Sequence, residues 1–424
     1  MRKAQESQHY WKEVAIGSVA DVEVGGTPST AVPSFWGGNI PWMSSGEVNQ
    51  YRISNVQGRI TESGLRSSNA KFINPPAVAL ALAGQGKTRG TVALTLISLC
   101  TNQSVALIKG RDELLDTVFL FHALDARYDE LRTRSAGGGR AGLSKSIIEA
   151  IPIALPELIE QQKIVEILDA IDKAIALTDT HISKLKKAKA GLLHDLLTRG
   201  IDEHGELRDY TRNPELFKRS ALRKIPKYWS VELVGEVFDM QLGKMLSKAS
   251  KKGHNPYPYL ANRHIQWERI DITNLEWMDF NSQEREKFVL LSGDLLVCEG
   301  GESGRTAIWK GELENCYFQK AIHRLRPKDY RIIPEYMLRF MRWAYDYALL
   351  TELTSKTSIT HLTSEKFAIL PISLPPTEEQ QRIIQVFERH EERIINKETR
   401  LEKLKLLKKG LMSDLLTGRV RVKI

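Results

Sequence analysis

From Gln161 to Thr198 the apolar residues fall at alternating steps of four and three: Ile164, Leu168, Ile171 and Ile175, then Ile182, Leu185, Leu192 and Leu196. That spacing keeps one stripe of a helix apolar and predicts a coiled-coil seam. Almost the same stretch returns from Gln380 to Thr417, with Ile383, Phe387, Ile394, Leu401, Leu404, Leu411 and Leu415 in the matching slots. The chain is a duplicated object. Counted from Ile151 and from Leu370, about 20 of roughly 48 paired positions are identical without a gap, more than shared amphipathicity produces. Polar residues interrupt the seam: Thr178 and Lys189 in the first copy, His390, Lys397 and Lys408 in the second. Such positions weaken a coil while fixing its register. Thr377 and Gln380 read as a capping box at the start of the second helix, and Pro156 suits the first turn of the first. Gly200 and Gly418 suit the stops. Each helix would run on the order of 40 residues, about 60 Å.

The segments before each helix follow a different pattern, of short apolar runs bounded by Gly, Pro and Asn. AVALAL (Ala77 to Leu82) and DLLVC (Asp294 to Cys298) are of strand length. Each is followed by a Gly-rich turn (Gly84 to Gly90; Gly300 to Gly304) and a further strand-like run from Thr91 or Thr306, so each predicts a hairpin. A helical patch comes next (Thr117 to Leu131; Pro334 to Leu350), then a small polar loop (Ser135 to Gly142; Thr354 to Thr360). Tyr10-Trp11 with Gly17, Val19 and Asp21 returns as Tyr228-Trp229 with Gly235, Val237 and Asp239. The globular segments are therefore diverged copies of one fold. The expected class is mixed α/β, with two globular domains separated by a pair of long antiparallel coiled-coil helices in a pseudo-two-fold arrangement. The expected boundaries are 1–150 and 228–369 for the globular domains and 151–200 and 370–424 for the helices. Residues 201–227, polar and holding Pro214 and Pro226, are expected to be a linker.

Charge adds a local rather than a global signal. The chain of 424 residues has a net charge of +9, distributed as about +3 over 1–150, about zero over 228–369 and about +4 over 370–424. Any nucleic-acid face must be local. No apolar run approaches the roughly 18 residues of a membrane span, and the first ten residues are polar, which predicts a soluble cytoplasmic protein with no membrane partner. Cys100, Cys298 and Cys316 are too widely spaced for a disulfide framework or a metal site, and the ten histidines show no ligand-like pairing.

ALAGQGKT (Ala81 to Thr88) meets a relaxed phosphate-loop pattern, but a strand-like run follows it where a nucleotide-binding loop needs a helix. NPPA (Asn74 to Ala77) lacks the aromatic residue with which amino-methyltransferases stack a flipped base, and reads as a turn before a strand. No catalytic residue, bound cofactor or metal is expected in this chain. What remains is polar loops whose side chains suit phosphates and base edges: Lys87, Thr88, Arg89 and Arg140 in the first copy, and Asn262, Arg263, His264, Ser303, Arg305, Lys356, Thr357 and Ser358 in the second. Each can equally be an ordinary loop residue.

The order of variable domain, helix opening on EQQ and closing on GLLxDLLT, linker, variable domain and the same helix again resembles the DNA specificity subunit of type I restriction-modification systems. The motifs are the IPIALPELIEQQ and LPISLPPTEEQQ stretches from Ile151 and Leu370, and the helix exits at Gly191 and Gly410. The likeness covers essentially the whole chain. It implies a non-catalytic, sequence-specific binder of double-stranded DNA, in which each globular domain reads half of a bipartite site. It also implies that the helices space the readers and seat two methyltransferase subunits, with restriction-translocase subunits joining that core. S-adenosylmethionine, ATP and Mg would belong to those partners. Gln161, Gln162, Leu192 and Leu196, with Gln380, Gln381, Leu411 and Leu415, are the expected coiled-coil and docking residues. Three other readings use the same residues: a scaffold that does not read DNA, a recognition subunit for a fused methyltransferase-nuclease, and a phosphate-loop NTPase resting on Lys87 and Thr88.

Overall fold

The structure, a computed structural model, describes residues 11–84, 88–134, 142–247, 256–350 and 361–423. Lys87, Arg140, Lys356, Thr357 and Ser358 lie outside the described residues. The chain divides into two compact units, Met1–Thr180 with Glu398–Ile424, and His181–Lys397. Four helices matter here: α1 (Thr117–Asp125), α2 (Leu158–Thr198), α3 (Pro334–Asp346) and α4 (Thr377–Leu415). The division falls inside α2 and α4, so each long helix contributes one part to each unit.

In the first unit a five-stranded sheet runs in the order Ala20–Val24, Val105–Gly110, Ala77–Ala81, Val92–Thr95, Arg52–Ile53. The predicted strand Ala77–Ala81 is buried at every position because both faces of the sheet are covered. Val78 and Leu80 face the core that holds α1 and the long helices; Ala77, Ala79 and Ala81 face a smaller core with Met43, Val48 and Leu99. The second unit repeats the plan with strands Phe238–Leu242, Ile322–Pro327, Leu295–Cys298 and Thr306–Ile308 in that order. There Leu295 and Val297 face the helix-bearing core, and Leu296 and Cys298 the smaller one. Duplication therefore holds at the level of which residue faces which core.

The long helices pack antiparallel within each unit. In the first, Ile164 and Leu168 of α2 share a core with Met412, Leu415 and Leu416 of α4. In the second, Leu193, Leu196 and Leu197 meet Ile383, Ile384 and Phe387. The polar seam residues are satisfied in pairs: Lys408 Nζ lies 2.9 Å from Asp172, Lys189 Nζ 2.6 Å from Glu391, and His390 Nε2 2.9 Å from the Leu185 carbonyl. Near the helix exits the buried slot moves by one residue, to Leu193 and Met412, while Leu192 and Leu411 are half-buried. Each exit lies beneath a globular domain as well as against the opposite helix, so more than one stripe is covered.

The EQQ motif binds each domain to its helix, and it does so twice in the same way. Gln161 is fully buried; its Oε1 accepts from Asp116 N at 2.7 Å, and its Nε2 donates to the carbonyls of Leu114 (3.0 Å) and Pro156 (2.9 Å). Gln380 Oε1 likewise accepts from Ile333 N at 3.0 Å, and its Nε2 donates to Arg331 (2.7 Å) and Pro375 (2.9 Å). Both amides therefore tie the residues ahead of α1 or α3 to the start of a long helix. The preceding glutamate, also buried, accepts from a tryptophan indole: Glu160 from Trp11 at 3.1 Å, Glu379 from Trp229 at 3.2 Å. This accounts for the recurrence of the tryptophan.

Two local expectations change. The capping box at Thr377 is not formed, because Gln380 is committed to the domain and the Thr377 hydroxyl donates to the Tyr330 carbonyl at 3.1 Å. The stretch expected as a linker holds a β-hairpin, Phe217–Ser220 with Arg223–Pro226, whose Leu222 and Ile225 enter the second unit's core. Gly200 (φ 65) and Gly418 (φ 71) follow the helix ends in the left-handed conformation, as their positions predicted.

Candidate nucleic-acid interface

The glycine turns lie at the centre of the candidate surface in both units. In the first, the antiparallel strands Ala77–Ala81 and Val92–Thr95 are joined through Gly84 (φ 136) and Gly90 (φ 82), and Gly90 N donates to the Ala81 carbonyl at 3.0 Å. In the second, Gly301 (φ 72) and Gly304 (φ 89) shape the turn, and Gly304 N donates to Cys298 at 2.9 Å. Among the described residues a strand follows each turn, where a phosphate loop leads into a helix. The residue leading out of each later polar loop returns to this turn: Leu143 N donates to Leu82 O at 2.9 Å, and Leu362 N to Glu299 O at 2.7 Å. The structure thus brings to one place, in each unit, segments that the sequence separates by about sixty residues.

The individual side chains divide into outward and internal ones. Asn262 Nδ2 donates to the Gly300 carbonyl at 2.6 Å, and the Asn262 carbonyl accepts from Arg305 Nη2 at 2.9 Å. Asn262 and Arg305 thereby staple two loops together, with Arg305 Nη1 also 3.4 Å from Glu302. His264 is buried and caps its own turn, its Nδ1 accepting from Ala261 N at 2.8 Å. Burial, with Arg263 adjacent, holds its pKa below the usual histidine value and keeps the ring neutral. Ser303 is buried as well, donating to the Glu299 carbonyl at 3.0 Å. His264 and Ser303 are thus hydrogen-bonded within their own turns. Arg263 is exposed and 2.7 Å from Glu276; Thr88 and Arg89 are half-buried at the rim of the first turn.

One cluster has metal-ligand chemistry: among the described residues, His122, Asp169 and Asp172 place ligand atoms within 4.8 Å of one another. Its surroundings argue for a structural role. Arg52 is 2.6 Å from Asp169, and Lys408 is 2.9 Å from Asp172, so the negative charge is already met by fixed cations. Burial alone would raise the Asp169 pKa, but hydrogen bonds from His122 and Arg52 outweigh it and hold the carboxyl low. Arg339, 2.7 Å from Glu391 and beside Lys189, builds the corresponding knot in the second unit.

Comparison with known sequences accords with this duplicated plan. The profile of the type I restriction modification DNA specificity domain matches twice, over residues 9–187 and 226–406. The chain belongs to the type I restriction-modification DNA specificity family. It is 25% identical over 426 residues to the type I restriction enzyme MjaVIII specificity subunit of Methanocaldococcus jannaschii, covering 97% of this chain and 93% of that one. The EcoR124I/EcoR124II specificity subunit of Escherichia coli is 28% identical over 174 residues, 40% of this chain and 42% of its own. Among solved structures, the type I S subunit of M. genitalium shares the fold at a TM-score of 0.54 and 15% identity, covering 98% of both chains. A chain of the type I R-M system solved to explain complex assembly and conformational transition reaches 0.62 at 18% identity, covering 97% of this chain and 99% of that one.

Within this specificity-family chain half of the eight expected coiled-coil and docking residues are interior. Gln161 and Gln380 are committed to the domain locks, and Leu196 and Leu415 lie in the unit cores, so these four have no outward face for a partner. Gln162 and Gln381 are exposed. The large apolar residues left outward on the long helices are others: Ile159 (54% exposed), Ile167 (37%), Leu177 (58%), Ile395 (59%), Leu406 (69%) and Leu407 (52%). Their signal was present in the sequence as apolar residues off the seam.

Proposed function

We propose that this chain is the non-catalytic, DNA-reading subunit of a type I restriction-modification complex, each unit reading one half of a bipartite double-stranded site. The long helices would fix the interval between the readers and seat two methyltransferase subunits, with restriction-translocase subunits joining them. The observation that carries this reading is the repeated glycine turn with the return of Leu143 and Leu362 to it: one scaffold built twice, bearing different polar loops. A scaffold that only joined proteins would have no need of two such loop platforms. Phosphate contacts would position the duplex and base-edge contacts would specify it. Arg263, Thr88 and Arg89 remain the candidates with an outward or rim position, and docking shifts to the surfaces around Leu177, Ile395, Leu406 and Leu407.

Base flipping and methyl transfer belong to the partner in this reading. The test is methylome sequencing of a host that makes this chain with its cognate methyltransferase subunit. A bipartite methylated-adenine motif is expected. An assembled complex that methylates without sequence preference would refute DNA reading and favour the protein scaffold.

A further inference from the structure

Each unit carries a second loop corner, apart from the glycine turn, whose backbone is repeated while its displayed side chains are not. In the first unit Gly25 N donates to Val105 O at 3.1 Å, and Gly26 N to Thr101 O at 2.8 Å. A Cβ at Gly25 would lie 2.2 Å from the Thr101 carbonyl, and one at Gly26 2.5 Å from Ala70 N. Glycine lets the segments 25–27, 66–70 and 101–103 meet at backbone distance. The second unit does the same: Gly243 N donates to Ile322 O at 3.1 Å, Lys244 N to Phe318 O at 3.0 Å, and a Cβ at Gly243 would lie 2.3 Å from Gln319 O. Lys244 closes the remaining side, its Nζ 2.6 Å from both the Asp279 carbonyl and Glu284.

The side chains on this shared frame differ in kind. Thr27, Arg66, Ser67, Asn69 and Gln103 line an open polar cleft of about 550 Å³ in the first unit. Thr27 Oγ1 donates to Gln103 Oε1 at 2.5 Å, which fixes the amide and leaves its NH2 for a ligand. The Arg66 and Asn69 side chains are exposed and make no hydrogen bond or ion pair among the described residues. The second unit shows Met245 (62% exposed), Leu246 and the exposed cation of Lys320. Met245 and Leu246 are adjacent exposed apolar side chains on this corner, where the first unit shows polar ones.

We propose that these corners are specificity-determining surfaces of their units, an inference that rests on the DNA-reading function proposed above. A rigid base with exchangeable tips is what sequence discrimination needs. Arg66, Asn69 and Gln103 read base edges through hydrogen bonds, the amide and guanidinium geometries matching adenine and guanine. Met245 and Leu246 read through apolar contact with a thymine methyl, with Lys320 on a neighbouring guanine or phosphate.

The test uses the full chain assembled with its methyltransferase, assembly being checked by co-purification, and compares the methylome motif of the wild type with three variants: Arg66→Ala, Gln103→Ala, and Met245→Ala combined with Lys320→Ala. The first two should relax base preference at one or two positions of one half-site only, with discrimination there falling about ten- to hundredfold. The double variant should relax the other half alone. A clear wild-type motif that all variants reproduce with equal discrimination overturns the proposal, as does a uniform loss of methylation with base preference intact. A wild-type complex without any motif overturns the DNA-reading function itself, and the corners fall with it.

Discussion

Lys408 Nζ lies 2.9 Å from the Asp172 carboxylate, joining α4 to α2 in the first unit, and Lys189 repeats the pair with Glu391 at 2.6 Å in the second with the helices exchanged. A residue with positive φ reaches each pair from the globular domain. Tyr51 (φ 65) donates to Asp172 at 2.9 Å, and Glu268 (φ 63) lies 3.8 Å from Lys189. The polar seam slots therefore hold coil and domain together, beyond fixing register.

The two pairs should differ in worth. Asp172 is 9% exposed and Lys408 15%, whereas Glu391 and Lys189 are 21% and 32% exposed, and Glu391 keeps Arg339 at 2.7 Å. Lys408→Ala is expected to cost about 2–3 kcal/mol by leaving a nearly buried carboxylate under-paired, and Lys189→Ala about 1 kcal/mol. Urea denaturation of both variants checks the order; equal costs would contradict it.

Glu379, 2% exposed, accepts from Arg208 at 2.6 Å, Ile201 N at 3.0 Å and Trp229 Nε1 at 3.2 Å, and also from the Tyr228 hydroxyl. All its partners are donors. Glu379→Gln places an amide NH2 among them and removes the counter-charge of Arg208, so a loss of about 3 kcal/mol or more is expected. In thermal melts Glu379→Gln should be far more damaging than Glu378→Gln, its exposed neighbour; similar midpoints would mean the network carries little.

Gly200 and Gly418 occupy matching places with unequal room. A Cβ at Gly200 would stand 2.4 Å from Glu379 Oε1 and 2.6 Å from the Trp229 ring, while at Gly418 the nearest atom is Trp11 at 3.3 Å. Gly418→Ala should cost the left-handed backbone penalty alone, about 1 kcal/mol. Gly200→Ala adds overpacking of about 1–3 kcal/mol. Stability measurements on the pair separate the two contributions.

The duplication, the strand runs, the glycine turns and the helix stops were legible because each depends on local spacing or on a residue type with one conformational use. What the sequence could not show was direction. Gln161 read as a docking residue because its helix is long and its motif recurs, yet its amide is spent on locking a domain to its helix. Arg305 and His264 looked like readers by residue type, but whether a polar side chain in a loop faces a ligand or staples its own turn depends on backbone that folds back from distant residues. The Gly25 and Gly243 corners were not legible, because a glycine needed for close approach, without a positive φ or a motif, leaves no local mark.

His323 links acidity to the candidate surface of the second unit. Its Nε2 donates to the Leu362 carbonyl at 2.8 Å, and its Nδ1 faces the Ser364 hydroxyl at 3.4 Å, while Leu362 N holds the glycine turn through Glu299. Burial holds its pKa below the ordinary value of 6.5. Below that pH the unfolded chain takes up the proton first, so stability is full above about pH 7 and falls as pH drops through 6.5 toward the folded-state pKa, by at most about 1.4 kcal/mol per pH unit from this ring. His194 and His264, both lowered by burial, act in the same direction and in the same unit. In the first unit, Ala106 sits opposite Leu80 where His323 sits opposite Val297, so that sheet position carries no titrating group. Acid should therefore weaken the second unit before the first. His323→Gln, which can keep a donor to Leu362 and an acceptor for Ser364, is expected to hold near-wild-type stability at pH 7.5 and to flatten the decline towards pH 5. Thermal melts across that range decide it: an unchanged slope in the variant would remove His323 as the sensor.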